Sequence, residues 1–317
     1  MQQFFFSESK SFGSRVLQLF NFIHPASVAL WNLRWQVQGF VEAAPLATDA
    51  EISGRFSGGS GIKANNLKAI FTKTSWDDQL GQFSQIVGSN MIALFEGWAE
   101  ELLPKFGPAR LAKSVQFPSR GTFGNTSSKG VRDALQDIHA AGLSAEMKAA
   151  FYPVYSASAK YSLIQLDPLL ALYRYHKEVR NSFMHRGGVA DSKAEAAWLA
   201  ASNLTRSDIG GKSTPYLTPI IDGQPIAYPI KEAIQLADVI IRIVHTIDAE
   251  LSYTNQAELY FIDAWKAKNG ALRLQDLPGD SSRREKRIAQ ICRKVGFVTP
   301  ADLAAATGVA KRAGLLP

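Results

Sequence analysis

The chain has 317 residues, a formal net charge of +7, 46% hydrophobic and 20% charged residues, and a single cysteine. That balance suits a globular protein with a sizeable buried core and excludes a disordered chain. Cys292 alone can form neither an intramolecular disulfide nor a thiolate metal cluster, which fits a reducing, cytoplasmic setting.

In chain order, residues 1–62 form an aromatic-rich N-terminal extension of mixed signals. Val16, Leu19, Phe20 and Ile23 recur as on a helix, whereas Leu33, Trp35 and Val37 alternate as on a strand. The start from Met1 to Phe6 lacks a basic leader, so no signal peptide is expected, and no apolar run is long enough to span a bilayer. Glycines between Ser57 and Gly61 read as a flexible turn without the spacing of a phosphate loop. Trp76, Leu80, Phe83, Val87, Met91, Leu94, Trp98 and Leu102 then mark one face of a long helix, capped by Ser75 and stopped by Pro104. Residues 104–130 read as a loop-rich insertion, followed by a short helix over 129–141.

The next helix opens at Asp167-Pro168, a capping aspartate followed by proline at the first helical position, carries Leu169, Leu172, His176, Val179 and Phe183 on its apolar side, and ends at Gly187-Gly188. His176, on that apolar side, is expected in the core. Tyr216 to Tyr228 predicts a β-hairpin around Asp222-Gly223. A last strong helix carries Ile230, Ile234, Ala237, Ile241, Val244, Ile247 and Leu251. Such stripes can be hidden only against one another, so the expected fold is mainly α. It is an antiparallel helical bundle over 63–255, with a small β-hairpin insertion and a basic helical C-terminal tail over 256–317.

The helix ending at Gly187 also has a polar side. Arg174, Glu178, Asn181 and His185 step by four, three and four, so Asn181 lies one turn from His185 and can orient its imidazole. Arg180 lies about 140° away from His185 around an ideal helix. A straight helix does not aim both at one point, which leaves a long reach of the arginine, a deformed helix, or a second copy of the site.

The segment Arg180-Asn181-Ser182-Phe183-Met184-His185 resembles the active-site motif of the HEPN ribonucleases, which reads arginine, a polar residue (often asparagine), three variable residues and histidine. The resemblance plausibly covers residues 63–255 and implies a bundle of four or more helices, with two protomers combining their motifs in a composite cleft. It implies metal-independent cleavage of RNA by the ribose 2′-OH, with no cofactor. His185 would move the proton, Arg180 would hold the phosphate, and Asn181 would set the imidazole. In one toxin branch of the family a tyrosine two residues after the histidine is modified by the antitoxin; here that position is Gly187, which puts that mode of control in doubt. A toxin, stress or phage-defence role, with an inhibitor or activator protein, follows from the resemblance alone.

Nearly all the excess charge lies in the last segment. From Ser281 to Pro317, Arg283, Arg284, Lys286, Arg287, Arg293, Lys294, Lys311 and Arg312 face only Glu285 and Asp302, a net of +6. Clustered cations suit RNA phosphates, so Arg283, Arg284, Lys286 and Arg287 join Arg186 as candidate RNA-binding residues; a solvated tail is the other reading. Arg186 can equally cap carbonyls at its helix end, and Glu96 is expected on the surface. Pro300 to Val309 resembles the first helix and turn of a helix-turn-helix, which would make the chain a DNA-binding regulator. The remaining histidines lack ligand spacing, so no metal site is expected. The leading reading is an endoribonuclease acting as a homodimer. The alternative is a non-catalytic HEPN-like module that binds RNA or a protein.

Overall fold

The computed structural model describes residues 4–62, 65–124, 128–274 and 277–317, among which there are fourteen α-helices and no β-strand. In order they are α1 (Ser7–Ala43), α2 (Asp49–Ser57), α3 (Leu67–Lys73), α4 (Trp76–Leu102), α5 (Leu111–Ser114), α6 (Val131–Ala140) and α7 (Ala145–Ala150). There follow α8 (Tyr152–Ser156), α9 (Leu166–Arg186), α10 (Ser192–Ser202), α11 (Ile230–Leu251), α12 (Asn255–Asn269), α13 (Ser281–Lys294) and α14 (Leu303–Arg312). The expected mainly-α class holds.

The strongly patterned helices form where their stripes predict. Ser75 Oγ accepts the Asp78 N–H at 3.0 Å and opens α4, and the chain tightens into a 3-10 turn at Leu103–Lys105 around Pro104. Gly187 closes α9 in the left-handed region (φ 61°), as the glycine pair predicted. Asp167 is not the cap of α9: it lies inside the first turn, accepting from Arg132 Nε at 2.9 Å and from Ser119.

The strand-like alternation at Leu33, Trp35 and Val37 belongs to α1. Residues two apart on a helix point about 200° apart, so three alternating positions fit either structure. Leu33 and Val37 pack with Ile52, Leu67 and Phe71, and Trp35 faces out.

The hairpin expectation fails. The Asp222-Gly223 turn is present, with Gln224 N donating to Ile221 O at 3.1 Å. Its arms do not pair with each other, because Thr218 N donates to Glu232 and Tyr216 N to Gln235, while Pro219 and Pro225 have no N–H to offer. The second arm bonds instead to the chain after α9: Ala190 N donates to Gln224 O at 2.9 Å, and Ile226 N to Gly188 O at 2.9 Å. An isolated bridge, Val189 to Pro225, is the β feature there.

α11 is the hub, packing on α4, α9, α1 and α8. Besides apolar side chains it buries three carboxylates, each tying down a different segment. Glu232 accepts from Tyr175 Oη at 2.6 Å and Thr218 N at 2.8 Å. Glu250 accepts from the hydroxyls of Tyr152, Tyr161 and Tyr253 at 2.9, 2.6 and 2.9 Å. Asp248 accepts from the backbone N–H groups of Phe5 (2.6 Å) and Phe6 (3.2 Å). One apolar cluster includes Phe4, Phe5 and Phe6 along with Phe95, Ile243, Cys292 and Leu316. All three sequence segments therefore contribute to it. The expected 62/63 boundary adjoins residues 63 and 64, which lie outside those described.

Candidate active site

The last two turns of α9 carry the motif. Their inner side is fixed by core contacts of Tyr175, His176 and Val179, which are buried. His176 is a core histidine, as its place on the apolar side predicted: its Nδ1 shares a hydrogen bond with Tyr228 Oη at 2.9 Å, and burial pushes its pKa down to about 3. The outer side divides into two groups.

The first group is a relay of charge. Arg174 pairs with the buried carboxylate of Glu178, and its guanidinium lies over the Phe117 ring, 4.6 Å from the centroid. Glu178 Oε2 also accepts from Asn181 Nδ2 at 3.1 Å, and Asn181 Oδ1 accepts from Arg180 at 3.2 Å. Asn181 thus connects Arg180 to Glu178. It does not bond His185, the partner expected from one-turn spacing. Arg180 is half-buried, with its Nε enclosed and without a hydrogen-bond partner among the described residues.

The second group surrounds a cavity of about 280 Å3 lined by Glu178, Asn181, Ser182, His185, Arg186, Asp191 and Lys193. His185 and Arg186 are exposed at its rim. Asp191 makes two contacts: Oδ1 caps α10 by accepting Ala194 N at 2.9 Å, and Oδ2 pairs with Arg186 at 3.2 Å. Glu178 is matched by Arg174 and Asp191 by Arg186, so Lys193 brings a cation with no ion-pair partner among the described residues. Lys193 and Asp191 were missed from sequence. The signal was there in Asp191, an acceptor three residues before Ala194 and just after a glycine pair, which is a helix start.

Arg180 is not among the residues lining this cavity. One chain brings Asn181, His185 and Arg186 to one opening, and Arg180 reaches that group through its hydrogen bond to Asn181. The left-handed backbone at Gly187 suits glycine, and a tyrosine there would be strained.

The basic segment is carried on α13, which packs on α14. Arg283, Arg284, Lys286 and Arg287 are all exposed. Arg284 donates to the carbonyls of Pro278 and Gly279, at 3.1 and 2.9 Å. Arg287 borders a cavity of about 460 Å3 shared with Lys268, Asn269, Gln290 and Lys294, which has three cations and no acid in its lining. Arg312, on α14, is neutralised by Glu146 and Glu258. The helix-turn-helix-like stretch is α14 itself, started by Asp302 and turned inward through Ala306 and Val309. Among the described residues no group of three metal-ligating side chains occurs, and no helix is long and apolar enough to cross a membrane. Glu96 is half-buried and pairs with Lys177.

Comparison with known protein families, with curated proteins and with solved structures returns no match for this chain.

Proposed function

We propose that the chain is a metal-independent endoribonuclease, with Arg180, Asn181 and His185 as its site and RNA as its substrate. The observation that carries this reading is the end of α9: an exposed histidine at a polar opening, and a half-buried arginine tied through Asn181 to Glu178 and absent from the lining of that opening. A second protomer supplies the missing half, so that His185 of one chain and Arg180 of the other meet the same phosphate. The ribose 2′-oxygen forms a bond to the adjacent phosphorus while the bond to the 5′-oxygen breaks. One proton leaves the 2′-OH for a histidine acting as base, and one reaches the departing 5′-oxygen from a histidine acting as acid. The products are a 2′,3′-cyclic phosphate and a 5′-hydroxyl. Arg180 stabilises charge on the non-bridging oxygens, and Arg186 holds the neighbouring backbone. Arg283, Arg284, Lys286 and Arg287 grip RNA farther along. A toxin or defence effector, governed by an inhibitor or activator protein, is the setting that fits such an activity.

The test is cleavage of bulk RNA in EDTA by the wild type and by His185→Ala. Cleavage lost in the variant, with cyclic-phosphate ends from the wild type, supports the reading; 5′-phosphate products or equal cleavage by both sink it. Mixing equal amounts of wild-type and His185→Ala chains should leave about a quarter of the activity of the same total of wild type, because each cleavage uses the histidines of both chains of a two-fold dimer. The second reading is a non-catalytic module binding RNA or a protein. It is favoured by Asn181 bonding Arg180 and Glu178 instead of His185, and RNA binding without cleavage would select it.

A further inference from the structure

α1 is 37 residues long, and along one flank it carries a row of residues that the rest of the molecule covers only in part. On that flank Gly13, Leu17, Phe20, His24, Val28, Trp31 and Trp35 follow one another at steps of four, three, four, four, three and four, with Gly13 against Phe4, Phe20 against the core and Trp31 against Trp76. Those steps keep them within an arc of roughly 80°. Leu17, Val28 and Trp35 are 57%, 60% and 57% exposed, and Trp31 is 38% exposed. Such a continuous apolar stripe is more than the scattered exposure normal for a surface.

The stripe has features that specify what covers it. Its steps read the same in both directions from His24. A second copy turned end for end therefore sets His24 against His24, Phe20 against Val28, Leu17 against Trp31, and Gly13 against Trp35. The last pair is complementary in shape. Beside Gly13 a cavity of about 490 Å3 opens between α1 and α11, lined by Lys10, Leu17, Phe20 and Ile241, while Trp35 is the largest side chain standing out at the far end.

Charge agrees with shape. Residues 11–41 contain no Asp or Glu, and of their two cations Arg34 is engaged with Thr74 O and Gln79 at 2.9 and 3.1 Å. Against its own copy, the face buries no unmatched ion at its centre, and depletion of charge with enrichment of aromatics is the signature of an interface core. Side-chain area exposed along the stripe is on the order of 500 Å2 per copy, so at most about 1,000 Å2 for a pair, the threshold between a weak and a specific contact.

We propose that α1 pairs antiparallel with α1 of a second copy about a two-fold axis at His24, with Trp35 of each copy seated in the cavity beside Gly13 of the other. The contact is isologous, so it closes on itself. It does not depend on the ribonuclease reading, and its test reads α1 alone.

Full-length His24→Cys and Trp35→Cys variants are oxidised mildly and run without reductant; the native Cys292 is buried and does not compete. His24→Cys should crosslink to its own copy. Trp35→Cys should not, because the two positions lie about 33 Å apart along the seam, far beyond disulfide reach. Adding Trp35→Glu or Leu17→Glu, both at exposed positions, to His24→Cys should cut the crosslink at least about tenfold with circular dichroism unchanged, the effect expected for burying a charge in the seam. A His24→Cys chain that stays uncrosslinked overturns the proposal. So does self-crosslinking of Trp35→Cys as fast as at position 24, or a crosslink that survives both glutamates.

Discussion

Asn181 takes up both ends of its amide, accepting from Arg180 and donating to Glu178. Removing it frees the guanidinium but leaves His185 untouched. Asn181→Ala should therefore lower RNA cleavage by weakening phosphate contact, whereas His185→Ala should cost about 10²- to 10⁴-fold through loss of proton transfer. Turnover and KM measured for both variants check this: the asparagine effect should lie largely in KM. In the core, Tyr228→Phe removes the hydrogen-bond partner of buried His176 Nδ1 and should destabilise the fold by about 1–3 kcal/mol. Because burial holds His176 neutral, with a pKa near 3, that loss should be equal in urea unfolding at pH 6 and pH 8. The core position of His176 was legible from its place in a four-three periodicity. The relay was not, because an asparagine one turn from a histidine and three residues from a glutamate has two partners within reach, and spacing alone does not choose between them.

At the scale of elements, α4, α9 and α11 were legible because each has a long apolar stripe and a chemical start or stop. Gly187 is the plainest of these signals. In its left-handed conformation Gly187→Ala should cost about 1 kcal/mol in unfolding free energy, and Gly187→Asn should cost less because asparagine tolerates that region. The hairpin was misread for a reason that composition hides. Its turn forms, but the donors of one arm go to Glu232 and Gln235 on α11, and the prolines remove others. A β-rich segment becomes a strand only if its N–H groups have another strand to meet. α10 escaped notice because its sequence is rich in alanine, with Ala194 and Ala201 as its buried contacts, and so lacks a stripe. Within the site, the helix and the position of His185 at its end could be read ahead, but Lys193 came near His185 only through the fold of α10.

Across the whole molecule, α11 fastens distant segments through buried acids. Asp248 holds the backbone of Phe5 and Phe6, and burial pushes its carboxyl up to about 6 from an ordinary 3.8. With the native pKa raised, the folded chain binds more protons than the unfolded one between those values, so this group's contribution to stability falls as pH rises from about 4 to 6 and is level above. Asp248→Asn cannot ionise. Its stability relative to wild type should therefore improve across that window, as read by urea unfolding at pH 4.5, 5.5 and 6.5. Phe5→Ala should cost about 3–5 kcal/mol, the effect of emptying a fully buried aromatic site.

The same clasp sets a timetable for synthesis. Phe5 and Asp248 are 243 residues apart. At ribosomal rates of about 5–20 residues per second, the aromatic triplet waits roughly 12–50 s before its acceptor is made. During that interval the backbone N–H groups of Phe5 and Phe6 lack the carboxylate that holds them in the finished fold. The core can shut only after α11 has left the ribosome.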